Sequence, residues 1–226
     1  VNIKVITLLP DAFPGILSMS LAGQALKKNL WSLATINLKD FGRTKHKNVD
    51  DEPCGGGNGL VIRPDVLGDA IDFALKDFPD AKILYPSPRG QMLKQGMVKQ
   101  LTQEKNIIII CGRFEGIDER IIAEYNVQQI SVGDYILSGG EIAAFCIIDS
   151  IVRLVPGVLK NQNTLKDESF EICVDGKLLV EHPLYTKPSV WRGLKVPEVL
   201  LSGNHEAVAK WRLTESIRLT KEREKE

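Results

Sequence analysis

Four glycine-rich segments hold most of the groups able to shape a ligand pocket: DDEPCGGGNGL at residues 50–60, YPSPRGQ at 85–91, CGRFEGIDER at 111–120 and VGDYILSGGE at 132–141. Glycine suits a backbone that turns sharply or approaches a ligand closely. Carboxylates and arginines stand among these glycines, and a carboxylate in such a loop is costly to desolvate without a partner. Glu115 and Asp134 therefore face either a ligand or an ion pair with Arg113 or Arg120. Other chemistries have no footing in the sequence. It holds no GxxxxGK[ST] phosphate loop, and GGGNG is not a dinucleotide-binding GxGxxG. No GxSxG elbow occurs, and His46, His182 and His205 have no suggestive nucleophile beside them. Cys54, Cys111, Cys146 and Cys173 lie far apart with no CxxC pair, which argues against a structural zinc site.

Strands and helices in alternation are what position these loops. Strands are expected over 3–9, 32–38, 81–85, 106–111 and 127–132, and helices over 14–29, 64–78, 90–104 and 140–154. Ile16, Leu17, Ala22, Ala25 and Leu26 make the apolar face of the first helix; Val66, Ala70, Phe73 and Ala74 make that of the second. Four consecutive isoleucines at 107–110 suit a strand buried on both faces of a parallel sheet. Pro86 and Pro88 end the 81–85 strand in this reading. The pattern is that of an α/β fold with a parallel sheet. In such sheets ligands bind beyond the carboxyl ends of the strands, where three of the loops fall.

The composition agrees with this frame. Of 226 residues, 43% are apolar and 26% charged, which is ordinary for a globular protein able to bury a core without disulfides. Lys+Arg and Asp+Glu are both 29, so zero net charge excludes a tail-driven nucleic-acid binder but not a local basic patch. The apolar stretch at 142–152 contains Asp149 and is too short to span a membrane. The amino-terminal residues read as a first strand rather than a leader, and with the scattered thiols this places the protein in a reducing cytoplasm. After Pro156-Gly157 the chain turns polar and non-periodic at 160–166, like a linker. A last helix begins near Asn204, a good N-cap residue.

At these loops the sequence is similar to the bacterial tRNA (guanine-N1)-methyltransferases, the TrmD family of the SPOUT superfamily. FGRTKHKNVDDEPCGGGNG, YPSPRG, CGRFEGIDER and VGDYILSGGE carry the resemblance, and RLVPGVL, ESF, PLYTKP and VLLSGNHEAVAKWRL extend it along nearly the whole chain. It implies a parallel α/β sheet with a deep trefoil knot plus a small, mostly helical C-terminal domain. The domains would be residues 1–159, a linker at 160–169, and a tRNA-binding domain at 170–226. It further implies a cytoplasmic homodimer with active sites at the subunit interface, S-adenosylmethionine as methyl donor, and tRNA methylated at N1 of guanine 37 beside the anticodon. Mg²⁺ is associated with family activity, but no ligand cluster in this sequence identifies a metal site.

The resemblance also assigns roles. Tyr85, Pro86, Pro88 and Gly90 would line one side of the cofactor, with Gly112 and Glu115 from the next loop. Val132, Gly133, Asp134, Tyr135, Ile136 and Leu137 would wrap its adenine, beside Gly139 and Gly140. For Ile136 and Leu137, plain core packing needs the same residue types and stays open. Guanine N1 carries a proton, and a carboxylate within hydrogen-bond reach can remove it as the methyl bond forms. The family's acid stands before Ser-Phe; here KDESF puts Glu168 in that register, one methylene longer than the family's Asp, with Asp167 as the other candidate. Arg153 matches the residue that would stabilise charge growing on O6. It also suits the last turn of its helix, where a cation meets the free carbonyls.

Basic residues in 39–47, and Lys187, Arg192 and Lys195 among the aromatics of 184–195, are candidate RNA contacts. Lys210, Arg212 and Arg218 on the last helix add to them. Two rivals remain at this stage: a SPOUT methyltransferase acting on ribose 2′-O, and a non-catalytic RNA-binding protein on the same fold.

Overall fold

The computed structural model describes residues 1–225, and only the backbone of residues 162, 163 and 166. The chain divides into two compact units, Val1–Lys160 and Asn161–Glu226.

The first unit is built on five parallel strands: β1 (Asn2–Thr7), β2 (Ser32–Asn37), β3 (Lys82–Met92), β4 (Asn106–Ile110) and β5 (Gln128–Ser131), in the spatial order β2-β1-β4-β3-β5. The isoleucine run is β4, in the middle, and Ile107, Ile108, Ile109 and Ile110 are each at most 1% exposed. The two-residue period of a strand sends them alternately to two cores. Ile107 and Ile109 join Ile3, Val5 and Leu84 under α1 (Ser20–Lys27), α3 (Gln95–Thr102) and α5 (Gly140–Leu154). Ile108 and Ile110 join Ile6 and Ile83 under α2 (Pro64–Leu75) and α4 (Glu119–Glu124). Stiff β-branched side chains suit this two-sided burial.

Several expected bounds move. Residues 14–29 are not one helix: Gly15–Ser18 forms a 3₁₀ turn and α1 starts at Ser20. Ile16 is consequently exposed rather than packed, while Leu17, Ala22 and Ala25 are buried. Phe73 lies on the outer side of α2 against Phe41. The prolines do not end β3. Pro86 and Gln91 both align with Ile130 of β5, so residues 87–90 loop out and the strand resumes. A strand accommodates proline where its ladder is interrupted in this way. Gly90 therefore belongs to β3 rather than a helix, and α3 begins at Gln95.

In the second unit a 3₁₀ segment, Gln162–Asp167, stands where the polar sequence suggested a linker. Two short ribbons follow, Cys173–Val174 with Lys177–Leu178 and Val190–Trp191 with Leu194–Lys195. Two helices close the unit, α6 (Glu198–Leu201) and α7 (His205–Arg223). The Asn204 side chain accepts the Ala207 amide at 3.1 Å, capping α7 as the sequence implied. No helix among the described residues is long and apolar enough to cross a membrane.

Candidate cofactor and catalytic site

The loop-out of residues 87–90 within β3 and the loops after β4 and β5 meet at the edge of the sheet because those three strands lie side by side. Main-chain bonds strap them together. Gly140 N–H donates to Gly112 carbonyl at 2.9 Å, and Leu93 N–H to Ser131 carbonyl at 2.8 Å. The 50–62 ribbon joins through Glu115 N–H to Leu60 carbonyl and Ile62 N–H to Gly116 carbonyl, both at 2.9 Å.

Close approach explains the glycines. A Cβ on Gly112 would sit 2.7 Å from the Tyr85 ring, and one on Gly140 would sit 2.8 Å from Cys111 Cα. A Cβ on Gly90 would strike the β5 backbone at Gln129 and Ile130. Tyr135 folds over Gly133, and its hydroxyl donates to Val132 carbonyl at 3.1 Å.

These loops enclose a cavity of about 260 Å³. Of the expected cofactor residues, Tyr85, Pro86, Pro88, Gly112, Glu115, Val132, Tyr135, Ile136, Leu137, Gly139 and Gly140 line it. Gly90, Gly133 and Asp134 are not part of its wall. Core packing does not account for Ile136, which is 82% exposed, nor for Leu137 at 36%. Ser87, Ser138 and Ala143 also line the cavity and were not singled out in the sequence. Ala143 had a signal, since it stands one helical turn after Gly140 on the same face of α5.

Of the two alternatives for Glu115 and Asp134, the ion pair with Arg113 or Arg120 does not form, because both arginines take other partners. Arg113 reaches Glu141, with its terminal nitrogen 2.9 Å from Oε2, and also donates to Ser138 carbonyl at 3.3 Å. Arg120 pairs with Asp118 at 2.8 Å. Glu141 is 4% exposed, and the Thr7 hydroxyl at the end of β1 donates to its Oε1 at 2.8 Å. A buried carboxylate needs such partners to offset its lost hydration. The Thr7–Glu141–Arg113 chain ties β1, the first turn of α5 and the loop after β4 into one wall. Burial, then the nearby Glu141 carboxylate, push the Cys111 thiol well above its ordinary range. Tyr85, 6% exposed, has its phenol pushed upward mainly by burial. Neither group is thus a ready nucleophile.

A second cavity of about 860 Å³ shares Tyr85, Ser87, Pro88 and Glu115 with the first. Its remaining wall is rich in charge, including Asp51, Arg63, Arg89 and Arg120. No group of three or more His, Cys, Asp or Glu side chains among the described residues could hold a metal ion.

Arg153 closes the last turn of α5 in the first unit. It lines a groove of about 510 Å³ with Ile16, Met19, Phe145, Cys146 and Asp149. Asp167 and Glu168 belong to the second unit, where Asp167 is exposed and Glu168 half-buried. The following Ser-Phe pair is anchored: Ser169 Oγ accepts the Glu181 amide at 2.9 Å and Phe170 N–H donates to Leu179 carbonyl at 2.7 Å. Phe170 holds φ +72°, with the Arg223 guanidinium 5.0 Å over its ring. In the 39–47 cluster, Arg43 is engaged by Asp65 and Asp69 and Lys47 lies 3.8 Å from Asp40, leaving the exposed Lys39 and Lys45 outside these pairs.

A parallel sheet with a glycine-walled cavity at its carboxyl edge defines an α/β protein with room for a small ligand there. Comparison with known proteins narrows the class. The family model for tRNA (guanine-1)-methyltransferase TrmD matches residues 1–226. A tRNA (guanine-N(1)-)-methyltransferase of Rickettsia akari (strain Hartford) is 58% identical over 222 residues, covering 98% of this chain and 95% of the relative. One from Rickettsia prowazekii (strain Madrid E) is 56% identical over 225 residues, covering 100% and 96%. The chain belongs to the tRNA (guanine-1)-methyltransferase TrmD family of enzymes.

Proposed function

We propose that this enzyme methylates N1 of the guanine at tRNA position 37, next to the anticodon, with S-adenosylmethionine as donor. The observation that carries the reading is the cavity walled by Gly112, Gly139 and Gly140, where main chain takes the place of side chains. The sulfonium of the bound donor supplies an electrophilic methyl group. Tyr135, Ile136 and Leu137 present apolar surface to a flat adenine, while Tyr85, Pro86, Pro88 and Glu115 bound the opposite side. Glu168 accepts the guanine N1 proton as the new bond forms, with Asp167 the other candidate. Arg153 offsets the negative charge that then grows on O6. The adjoining cavity gives an extruded nucleotide room beside the donor.

In this reading the chain is knotted in the first unit, residues 160–169 carry the base, and residues 170–226 grip tRNA in the cytoplasm. The working form is a homodimer. Ile16, Met19 and Ile142 are 71%, 66% and 58% exposed, and the first two line the groove that holds Arg153. An apolar surface of this kind favours burial against a second copy.

The test is methyl transfer from labelled donor to a tRNA transcript with guanine at position 37, beside one with adenine there. Label in the first alone, recovered as N1-methylguanine, is expected. Label in both, or as a ribose methyl, overturns the reading.

A further inference from the structure

The second unit carries a surface to which the methyl-transfer reading gives no more than a general grip on tRNA. From His182 to Pro197 the sequence has Lys187, Arg192 and Lys195 and no carboxylate. Within it the ribbon of Val190–Trp191 and Leu194–Lys195 reverses through Arg192 and Gly193, with φ +51° and +82°. Two successive residues of positive φ make the tight turn that matches strand twist, so the tip is held firmly for its size. Trp191 and Leu194 are cross-strand partners and share one face. They are 57% and 70% exposed. The Arg192 guanidinium lies 4.8 Å from the indole centre and makes no ion pair among the described residues.

An exposed indole carrying an uncommitted guanidinium costs hydration and adds nothing to a core. Unpaired bases stack on such side chains, and arginine reaches the adjoining phosphate. Three cations with no carboxylate between them complement a polyanionic backbone. We propose that the Trp191–Arg192 tip is a stacking finger that holds one unpaired nucleotide of the tRNA other than the guanine that is methylated. This rests on the tRNA reading above.

The experiment titrates the full-length protein with tRNA, following tryptophan fluorescence and filter retention, for wild type, Trp191→Ala, Trp191→Phe and Arg192→Gly. Glycine suits the positive φ at 192, so that variant removes the guanidinium without straining the turn. Trp31 is 2% exposed and gives a constant background, while half-buried Trp211 is a second reporter whose share is the quench that remains in Trp191→Phe. Trp191→Ala should weaken tRNA binding about tenfold, the usual scale of one lost stack. Trp191→Phe should retain most of the affinity but lose most of the fluorescence quench. Arg192→Gly should weaken binding and flatten its salt dependence by about one counterion. Donor affinity should stay at its wild-type value throughout. Unchanged tRNA affinity in Trp191→Ala, or an undiminished quench in Trp191→Phe, overturns the finger. A smaller sedimenting species with unchanged tRNA affinity overturns it in favour of self-association. The two readings fail separately. Wild type that binds tRNA but transfers no methyl sinks the catalytic reading, while the variants still decide the finger by binding alone.

Discussion

Residues Val1–Lys160 set whole strands inside two apolar cores, whereas Asn161–Glu226 bury a single apolar side chain among the described residues, Leu179. The second unit is held by polar links instead. The Thr220 hydroxyl accepts the Val180 amide at 3.0 Å, Lys177 meets Glu224 at 2.6 Å, and Arg218 bridges Glu215 and Glu222 on α7. Exposed pairs of that kind contribute little to stability. A cavity shaped to fractions of an ångström by glycines needs rigid walls, and the first unit supplies them. A surface that grips a large, charged substrate needs reach and accessible cations more than a core. In the proposed reading, this contrast would divide the work between donor binding and substrate capture.

The largest effect expected from breaking this contrast is in the sheet. Ile108→Ala, at 0% exposure in the central strand, should destabilise the first unit by about 4 kcal/mol. Leu179→Ala should cost about 2 kcal/mol, because a thin unit relaxes around the gap. Chemical denaturation of both variants would compare them, and equal losses would mean the second unit is as tightly packed as the first. Next is Glu168→Gln. In the proposed reading it should slow methyl transfer by at least about a hundredfold, with donor affinity nearly unchanged because every residue lining the proposed donor cavity lies in the first unit. Asp167→Asn should do much less, and the reverse ranking in single-turnover assays would move the base to Asp167.

The smallest effect concerns the surface of the first unit. Asp65 is held down to about 2, first by its hydrogen bond from Arg63 and then by Arg43. A lowered carboxylate stabilises the fold above its ordinary value near 4, and the contribution fades as pH falls from about 4 through about 2. Since Asp65 is 43% exposed, solvent screens most of that contribution. Asp65→Asn should leave the neutral-pH melting temperature nearly unchanged and narrow the gap from wild type further at pH 2. A large loss at neutral pH would show that the Arg43–Asp65–Arg63 network matters more than other exposed pairs.

Several features could be read from the residues because their causes are local. The isoleucine run identified β4, the apolar stretch of 140–154 identified α5, and Asn204 marked α7. Reading failed where a distant partner decides. Pro86 and Pro88 are strand breakers by themselves, yet β5 pairs with β3 on both sides of the looped-out 87–90. Periodicity put Ile16 on a helix face, but a 3₁₀ turn interrupts the segment. Arg113 has Glu115 two residues away and still pairs with Glu141, 28 positions later.

The amino-acid sequence alone determined which segments must bend, which strand lies deepest, where helices cap and which family's motifs recur. Those follow from φ preferences, side-chain branching and short-range hydrogen bonds, which act over a few residues. Only the tertiary structure decided that β4 inserts between β1 and β3, which brings three glycine loops to one edge. It also chose Thr7 and Arg113 as the partners of Glu141 and left Ile136 and Trp191 facing solvent. Those outcomes depend on which distant segments share space, and a buried charge takes the partner that the packed sheet delivers rather than its neighbour along the chain.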